Sequence, residues 1–443
     1  MEEITFTFRS EESSPMPLPK QYHGNVMINI QQGHEVLTVY TKVLPGLGSH
    51  YAGINYKELG IQYCIARPFE KADEARRIYS RLIRCKHPNI LHPLGLWTSD
   101  PKVNENPKTE IVEERHSKSN GDKEEKKKVI EAFITFPLID GSLIDVPRED
   151  IFLVENDATK STAYGLTFEG SKIFCDILGA VKHINGLYEQ VASTPSGQSS
   201  SSTEEPFSLC SLKSNPARIV YNKLADGQYK VLLWVDFFTE DQERKKYKRE
   251  PTAIEIWSAN WDTVAKFLRG LCKSFDVQQN EELKQLVSIL SRKLLKGEET
   301  LRYNNLLWEP GLWPVYTKIH FIREVFWCFD GKQEREQLLK LKTNLGLKSV
   351  ITNLGFSHAD NSLYDSIMFL RKKIVAHQDS SYKTYSGRKD DVGTDKTTIE
   401  IFVQKLNPEY MIKLVKEIRP LSWIEESPLL RSETAYMEPF KIK

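Results

Sequence analysis

The sequence has little of what marks several common protein classes. Its six cysteines are scattered without a Cys-x-x-Cys pair, so we expect reduced thiols and neither a zinc site nor a disulfide framework. Lys and Arg total 61 against 60 Asp and Glu, which leaves a net charge of +1 and no global field that attracts nucleic acid. Any contact with nucleic acid must therefore be local, and no DNA partner is expected.

Long apolar runs are also missing. No stretch of 18 apolar residues occurs, so we expect neither a membrane span nor a membrane partner. The N-terminus, Met1-Glu-Glu-Ile, has no basic region followed by an apolar core, which argues against a secretory signal. The reduced cysteines fit a cytosolic or nuclear compartment, and together these features lead us to expect a cytoplasmic protein.

What is present is a chain of 443 residues with 40% hydrophobic residues, enough for two or three domains. A charged run and a Ser-rich run interrupt it, and both are expected to be exposed loops. The parts predicted are a tail at 1–28, a strand-rich domain at 29–140 with the charged loop at 98–128, a mixed domain at 141–308 with the Ser-rich insertion at 193–205, and a helical module at 309–443.

Hydrophobic periodicity predicts the elements inside these parts. The predicted elements are strands within 26–69, a helix at 72–85, a strand from 130, a long helix at 168–188, strands at 217–221 and 231–237, and mostly helices from 253 onward. Strands, one helix, more strands and then a helical half is also the order of elements in a two-lobed protein kinase.

Three short phrases, in the same order along the chain, resemble kinase motifs. His87-Pro-Asn-Ile-Leu resembles the segment after the regulatory helix, and Asp140-Gly-Ser-Leu resembles the segment after the hinge. Asp236-Phe-Phe stands where a kinase has Asp-Phe-Gly. The resemblance implies a kinase-like fold that binds ADP or ATP with Mg²⁺. The residues expected to contact this nucleotide are Arg67, Lys213 and Asp236. An Asp that ends a strand and caps a turn explains Asp236 equally well.

The residues that transfer phosphate are replaced. Arg67 or Ala66 occupies the position of the kinase Lys, and Arg77 falls near the position of the Glu that pairs with it. Ser211 stands where the catalytic Asp is expected. A serine cannot accept the substrate proton as a carboxylate does, so we expect a pseudokinase without protein kinase activity.

The last 130 residues carry a second set of motifs. Trp308-Glu-Pro-Gly-Leu-Trp313 leads into Lys318-Ile-His-Phe-Ile, and Asp365-Ser-Ile-Met-Phe-Leu-Arg371 is followed by His377. These motifs resemble the inositol-requiring kinase–endoribonuclease family and its relative RNase L, in which a kinase-extension-nuclease (KEN) module follows the kinase. The implied fold class is α+β, a two-lobed kinase-like fold followed by an all-helical KEN-type module.

Arg and His are also the minimum set for metal-free RNA cleavage, because His moves a proton near neutral pH and Arg stabilises charge on the phosphate. The resemblance implies that Arg371 binds phosphate, His377 is catalytic, and Asp365 braces the site. The other residues implied are His358 and Tyr364 near the position of the catalytic Tyr, and Lys372 and Lys373 as contacts to RNA.

The sequence departs from the family at three of these positions, and the first is His358, which stands at about the place of the catalytic Tyr. Lys372 replaces an Asn, and His377 lies one residue farther from Arg371. Asp365 is explained almost as well as the N-cap of a helix from Ser366.

Two functions therefore remain open. The first is a pseudokinase-regulated endoribonuclease that cleaves RNA as a homodimer, by attack of the 2′-OH, without a required cofactor or metal. The second is an inactive pseudokinase scaffold that binds a protein or nucleotide partner.

Overall fold

The structure is a computed structural model that describes residues 26–43, 50–57, 60–98, 129–156, 161–192, 219–235, 252–295, 306–328, 336, 338–341, 345–348, 362–371, 404 and 407–420. Apart from residue 98, the predicted loops at 98–128 and 193–205 lie outside these ranges. The chain divides into two compact units. Unit 1 comprises Met1–Lys86 and His92–Leu138, and unit 2 comprises His87–Leu91 and Ile139–Lys443.

Unit 1 is a curled antiparallel sheet with one helix. Its elements are β1 (Val26–Gln32), β2 (Glu35–Val43), β3 (Tyr51–Lys57), β4 (Gly60–Phe69), α1 (Ala72–Leu82), β5 (Gly95–Thr98) and β6 (Ala132–Pro137). The strand order is β1-β2-β3-β4-β6-β5, and the edge strands β1 and β5 contact each other. The enclosed core contains Leu37, Val39, Cys64, Trp97 and Phe133.

The predicted helix after these first strands is confirmed. Ala75, Ile78 and Leu82 are buried, as the periodicity requires. The helix ends three residues before the predicted limit, with Ile83 as its C-cap. A hairpin series followed by a helix and two further strands is compatible with the kinase-like N-lobe that the resemblance implies.

The described residues of unit 2 form two small sheets and longer helices. Its strands are β7 (Gly141–Ser142), β8 (Phe152–Asn156), β9 (Ser161–Leu166), β10 (Ile219–Lys223), β11 (Tyr229–Leu233) and β12 (Val277–Gln279). Its helices are α2 (Arg148–Ile151), α3 (Phe168–Ala192), α4 (Ala253–Ser274), α5 (Glu281–Ser291), α6 (Val315–Cys328), α7 (Leu363–Leu370) and α8 (Tyr410–Ile418). None of the helices in the described ranges has both the length and the hydrophobicity that crossing a membrane requires.

Two predicted features of unit 2 are confirmed. The long helix α3 buries Phe174, Ile177 and Val181 along one face, as its periodicity predicts. Strands β10 and β11 form the predicted hairpin. Gly227 has φ +85° in its turn, a left-handed conformation that favours glycine.

The prediction of mostly helices after residue 253 missed one strand. β12 pairs in parallel with β9, and β9 pairs with β8, so a small mixed sheet lies within unit 2. Asp276 follows α4 with φ +51°, and this left-handed residue ends the helix without a glycine. The all-helical KEN-type module stays a prediction.

Candidate functional site

The aromatic turn that precedes α6 is buried in unit 2. Trp313 is fully buried, its ring centroid lies 5.0 Å from that of Phe321, and its indole N–H donates to the Leu307 carbonyl at 2.9 Å. The Ser171 hydroxyl on α3 donates to the Leu312 carbonyl at 2.5 Å. These contacts fix the start of α6 against α3.

Glycine is required inside this turn. A Cβ atom at Gly311 would lie 2.6 Å from the carbonyl oxygen of Glu282 on α5. No side chain fits at that distance, so the turn and α5 approach each other closely only because residue 311 lacks a side chain.

The lysine of the motif Lys318-x-x-Phe-Ile forms a buried ion pair. The Lys318 ammonium lies 2.6 Å from Glu282 Oε2, and both side chains are fully buried. Charges removed from water are retained only when they are paired, so this contact ties α6 to α5. A lysine among the apolar residues of a helix was the available signal, but nothing in the sequence names its partner.

At the start of α7, Asp365 belongs to the helix cap. Ser362 is the N-cap residue, and its hydroxyl accepts from the Asp365 backbone N–H at 3.1 Å and donates to the Asp365 carboxylate at 2.8 Å. The alternative prediction that Asp365 is the N-cap is wrong, because the N-cap residue is Ser362. The helix starts three residues earlier than the predicted Ser366, which places Asp365 in its first turn.

Arg371 lies at the C-terminal end of α7 and stacks on an aromatic ring. Its guanidinium carbon is 4.0 Å from the centroid of Phe326 on α6, a distance typical of a cation–π contact. Within the described ranges, no carboxylate forms a salt bridge with Arg371. Asp365 precedes it by six residues, about 120° around the helix, so the two side chains leave different faces.

Tyr364 shares a face with Arg371. The two residues are seven positions apart, which is close to two full helical turns and about 10 Å along the axis. The structure therefore places one candidate for the catalytic Tyr on the Arg371 side of α7. The remaining candidates, namely His358, Lys372, Lys373 and His377, lie outside the described residues.

A histidine that the sequence reasoning did not single out lies on α6. His320 Nε2 is 3.5 Å from Glu324 Oε1, one turn later on the helix. Burial lowers the pKa of His320, although Glu324 acts in the opposite direction, so the neutral form of the ring is favoured. A His and a Glu spaced i and i+4 was the signal that could have identified this pair.

In unit 1, the structure separates the two residues that were alternatives for the kinase Lys position. Ala66 belongs to the enclosed core, whereas Arg67, the next residue of β4, leaves the opposite face of the sheet. The Arg67 guanidinium carbon lies 4.9 Å from the Phe69 ring centroid on that face. Lys213 and Asp236, the other predicted nucleotide contacts, lie outside the described residues, as does Ser211.

Comparisons with known proteins add little to this geometry. No protein-family model matches the sequence, and no curated protein matches it. One solved structure to which the chain is similar is the crystal structure of Rad53 1-466 in complex with AMP-PNP, with a TM-score of 0.30 and 13% sequence identity. The match covers 58% of this chain and 61% of that one, and a similarity of this size does not assign the fold.

Proposed function

We propose that this chain is a metal-independent endoribonuclease of the KEN type, regulated by a kinase-like part that transfers no phosphate. The supporting observation is the position of the Arg371 guanidinium. Its guanidinium is oriented on Phe326, and no carboxylate in the described ranges neutralises it. A guanidinium held in this way can bind a phosphate through its N–H donors.

The proposed reaction uses two side chains in metal-free chemistry. His377 removes the proton of a ribose 2′-OH or protonates the leaving 5′ oxygen. Arg371 stabilises the negative charge that develops on phosphorus while the 2′ oxygen attacks. A homodimer supplies a second copy of both groups to one RNA groove, and Lys372 and Lys373 attract its backbone.

The kinase-like part is proposed to regulate and not to catalyse. Arg67 on β4 is positively charged, but its planar guanidinium differs in shape from the compact ammonium group of a lysine. It therefore cannot hold the phosphates in the geometry that the kinase Lys provides. ADP or ATP with Mg²⁺ is the proposed ligand of this part, with Lys213 and Asp236 as its further contacts.

One observation favours the alternative of an inactive scaffold. The Asp365 carboxylate accepts a hydrogen bond from Ser362, so it is engaged at the opposite end of α7 from Arg371. An arginine without a carboxylate brace would have less control over a bound phosphate. In the scaffold alternative, the same surfaces bind a protein or nucleotide partner.

Variants of the two proposed catalytic residues separate these functions. Cleavage of a fluorogenic RNA at micromolar protein should fall about 10²–10⁴-fold for His377→Ala, because the proton carrier is lost. Arg371→Ala should lose a comparable factor, about 10²–10³, through lost charge stabilisation.

The matched control is Lys416→Ala, which removes an exposed cation from α8 and should leave the rate unchanged. Equal rates for wild type and His377→Ala would mean that the site is misassigned. A wild-type protein that is a proven dimer and is inert toward RNA would favour the scaffold.

A further inference from the structure

A five-residue segment of unit 2 is bordered on both sides by unit 1 sequence. His87–Leu91 belongs to unit 2, whereas Lys86 and His92 belong to unit 1. The segment docks along β11 through backbone hydrogen bonds, Leu91 N–H to the Leu233 carbonyl at 3.0 Å and Leu233 N–H to the Asn89 carbonyl at 2.7 Å. The Asn89 side chain also donates to the Val231 carbonyl at 3.1 Å.

Two histidines meet where this segment packs on α3. The ring centroids of His87 and His183 are 5.2 Å apart. His87 Nδ1 accepts the Asn89 backbone N–H at 3.2 Å, so this nitrogen must stay unprotonated for the contact to persist. His183 Nε2 is buried, and no described residue hydrogen-bonds to it.

This geometry favours the neutral form of both rings. Protonating His87 at Nδ1 would break the hydrogen bond to Asn89, and protonating both rings would place two positive charges about 5 Å apart. The pKa of each histidine is lowered, chiefly by burial, and for His87 also by its neighbour. Asn89 thus links the protonation of His87 to the backbone contacts with β11.

The pKa of Asp176 on α3 is shifted in the opposite direction from the pKa values of the two histidines. Burial raises its pKa to about 6, although Lys172 and a hydrogen bond from Asn89 act against burial. The other charged residues and histidines on α3, on β11 and beside the segment are Lys86, His92, Glu169, Lys182, Glu189 and Lys230. Helix α4 meets this part of α3 with the neutral residues Trp257 and Asn260, which contact Asn185.

We propose that His87 and His183 form a proton-sensitive lock that holds residues 87–91 on α3 and β11 near neutral pH and releases them in acid. A released histidine takes up a proton with a pKa of about 6.5, whereas a docked one resists it. Docking is therefore strongest above about pH 6.5 and weakens as the pH falls below that value. Asp176 partly offsets the loss, because it takes up a proton in the docked state near pH 6.

Hydrogen exchange measures this release in the full chain. Peptides that contain the Leu91 and Leu233 amides are followed by mass spectrometry at pH 7.5 and pH 5.5, with rates corrected for intrinsic exchange. The opening constant should rise at pH 5.5 by up to about ten-fold for each histidine, before the offset from Asp176.

Three variants test the assignment. His183→Asn should reduce the pH dependence, whereas Asp176→Asn should steepen it because the offset is removed. His34→Asn, which replaces an exposed histidine in unit 1, should behave like the wild type. Peptides from α5 report whether each variant remains folded at pH 7.5, and His183→Gln replaces any His183→Asn protein that does not.

Two results would overturn the proposal. One is a wild-type opening constant that changes less than about two-fold between the two pH values. A single histidine without the offset from Asp176 would change this constant by about ten-fold. The other is a folded His183 variant that keeps the full pH dependence.

Discussion

The buried pair of Lys318 and Glu282 allows the sharpest prediction about stability. Its atoms lie 2.6 Å apart, and neither side chain is exposed to solvent. Replacing Lys318 by Met keeps the length and most of the volume of the side chain but leaves a buried carboxylate without its cation. Breaking a buried pair in this way costs about 3–5 kcal/mol, because the remaining charge cannot regain water.

The structure also supplies a matched control. Lys413 and Glu409 form an ion pair of 3.0 Å on α8, with side chains that are 41% and 54% exposed. Lys413→Met should cost under about 1 kcal/mol, since exposed pairs are weakened by solvent screening. The two Lys→Met changes are chemically identical, so the difference between them isolates burial.

Urea denaturation followed by tryptophan fluorescence measures both variants, because the fully buried Trp313 packs on Phe321 three residues after Lys318. Adding Glu282→Leu to Lys318→Met should restore most of the lost stability, as an apolar pair replaces the ionic one. Equal costs for the Lys318 and Lys413 variants would refute the buried pair and the docking of α6 on α5 that depends on it.

Three further predictions concern the kinase-like part and the junction with the C-terminal module. If Ser211 stands in the place of the catalytic Asp, as the resemblance implies, incubation with labelled ATP and Mg²⁺ should label neither the chain nor a test substrate above a heat-killed control. Stoichiometric labelling would contradict this. If the proposed nucleotide site is real, millimolar MgADP should raise the melting temperature, and no shift would mean that the site is closed to nucleotide. Limited proteolysis should cut first within 98–128 and 193–205, which are the predicted exposed loops, and within the polar run 383–397. The junction should resist cleavage, because Trp313 and Leu312 are buried there. Early cleavage within 305–313 would show that the junction is exposed.

The periodic elements could be predicted from the sequence, and short or long-range features could not. Helices α1 and α3 bury the residues that their spacing indicates, because one apolar face of a helix is a local property. Strand β12 has three residues between two helices, too few for any alternation to be visible. Its pairing with β9, more than 110 residues earlier in the chain, is decided by tertiary packing.

The candidate site shows the same division. The sequence placed Asp365 and Arg371 in one apolar segment, and the structure has them at the two ends of α7. The partners of these residues come from elsewhere, since Phe326 is 45 positions from Arg371 and Glu282 is 36 positions from Lys318. A single sequence carries no signal for contacts of that separation, so the stacking of Arg371 and the buried pair were both missed.

The proposed chemistry is tested most directly by the dependence of cleavage on one ribose 2′-OH. A short RNA and the same strand with a single 2′-deoxy nucleotide at the cleaved position are incubated with micromolar protein in EDTA. The proposed reaction predicts that the all-ribose strand is cleaved and the 2′-deoxy strand is not, and that one product carries a 2′,3′-cyclic phosphate. The cleavage rate per protein molecule should rise with protein concentration as the dimer forms. Equal cleavage of both strands, or complete loss of cleavage in EDTA, would contradict metal-independent attack by the 2′ oxygen.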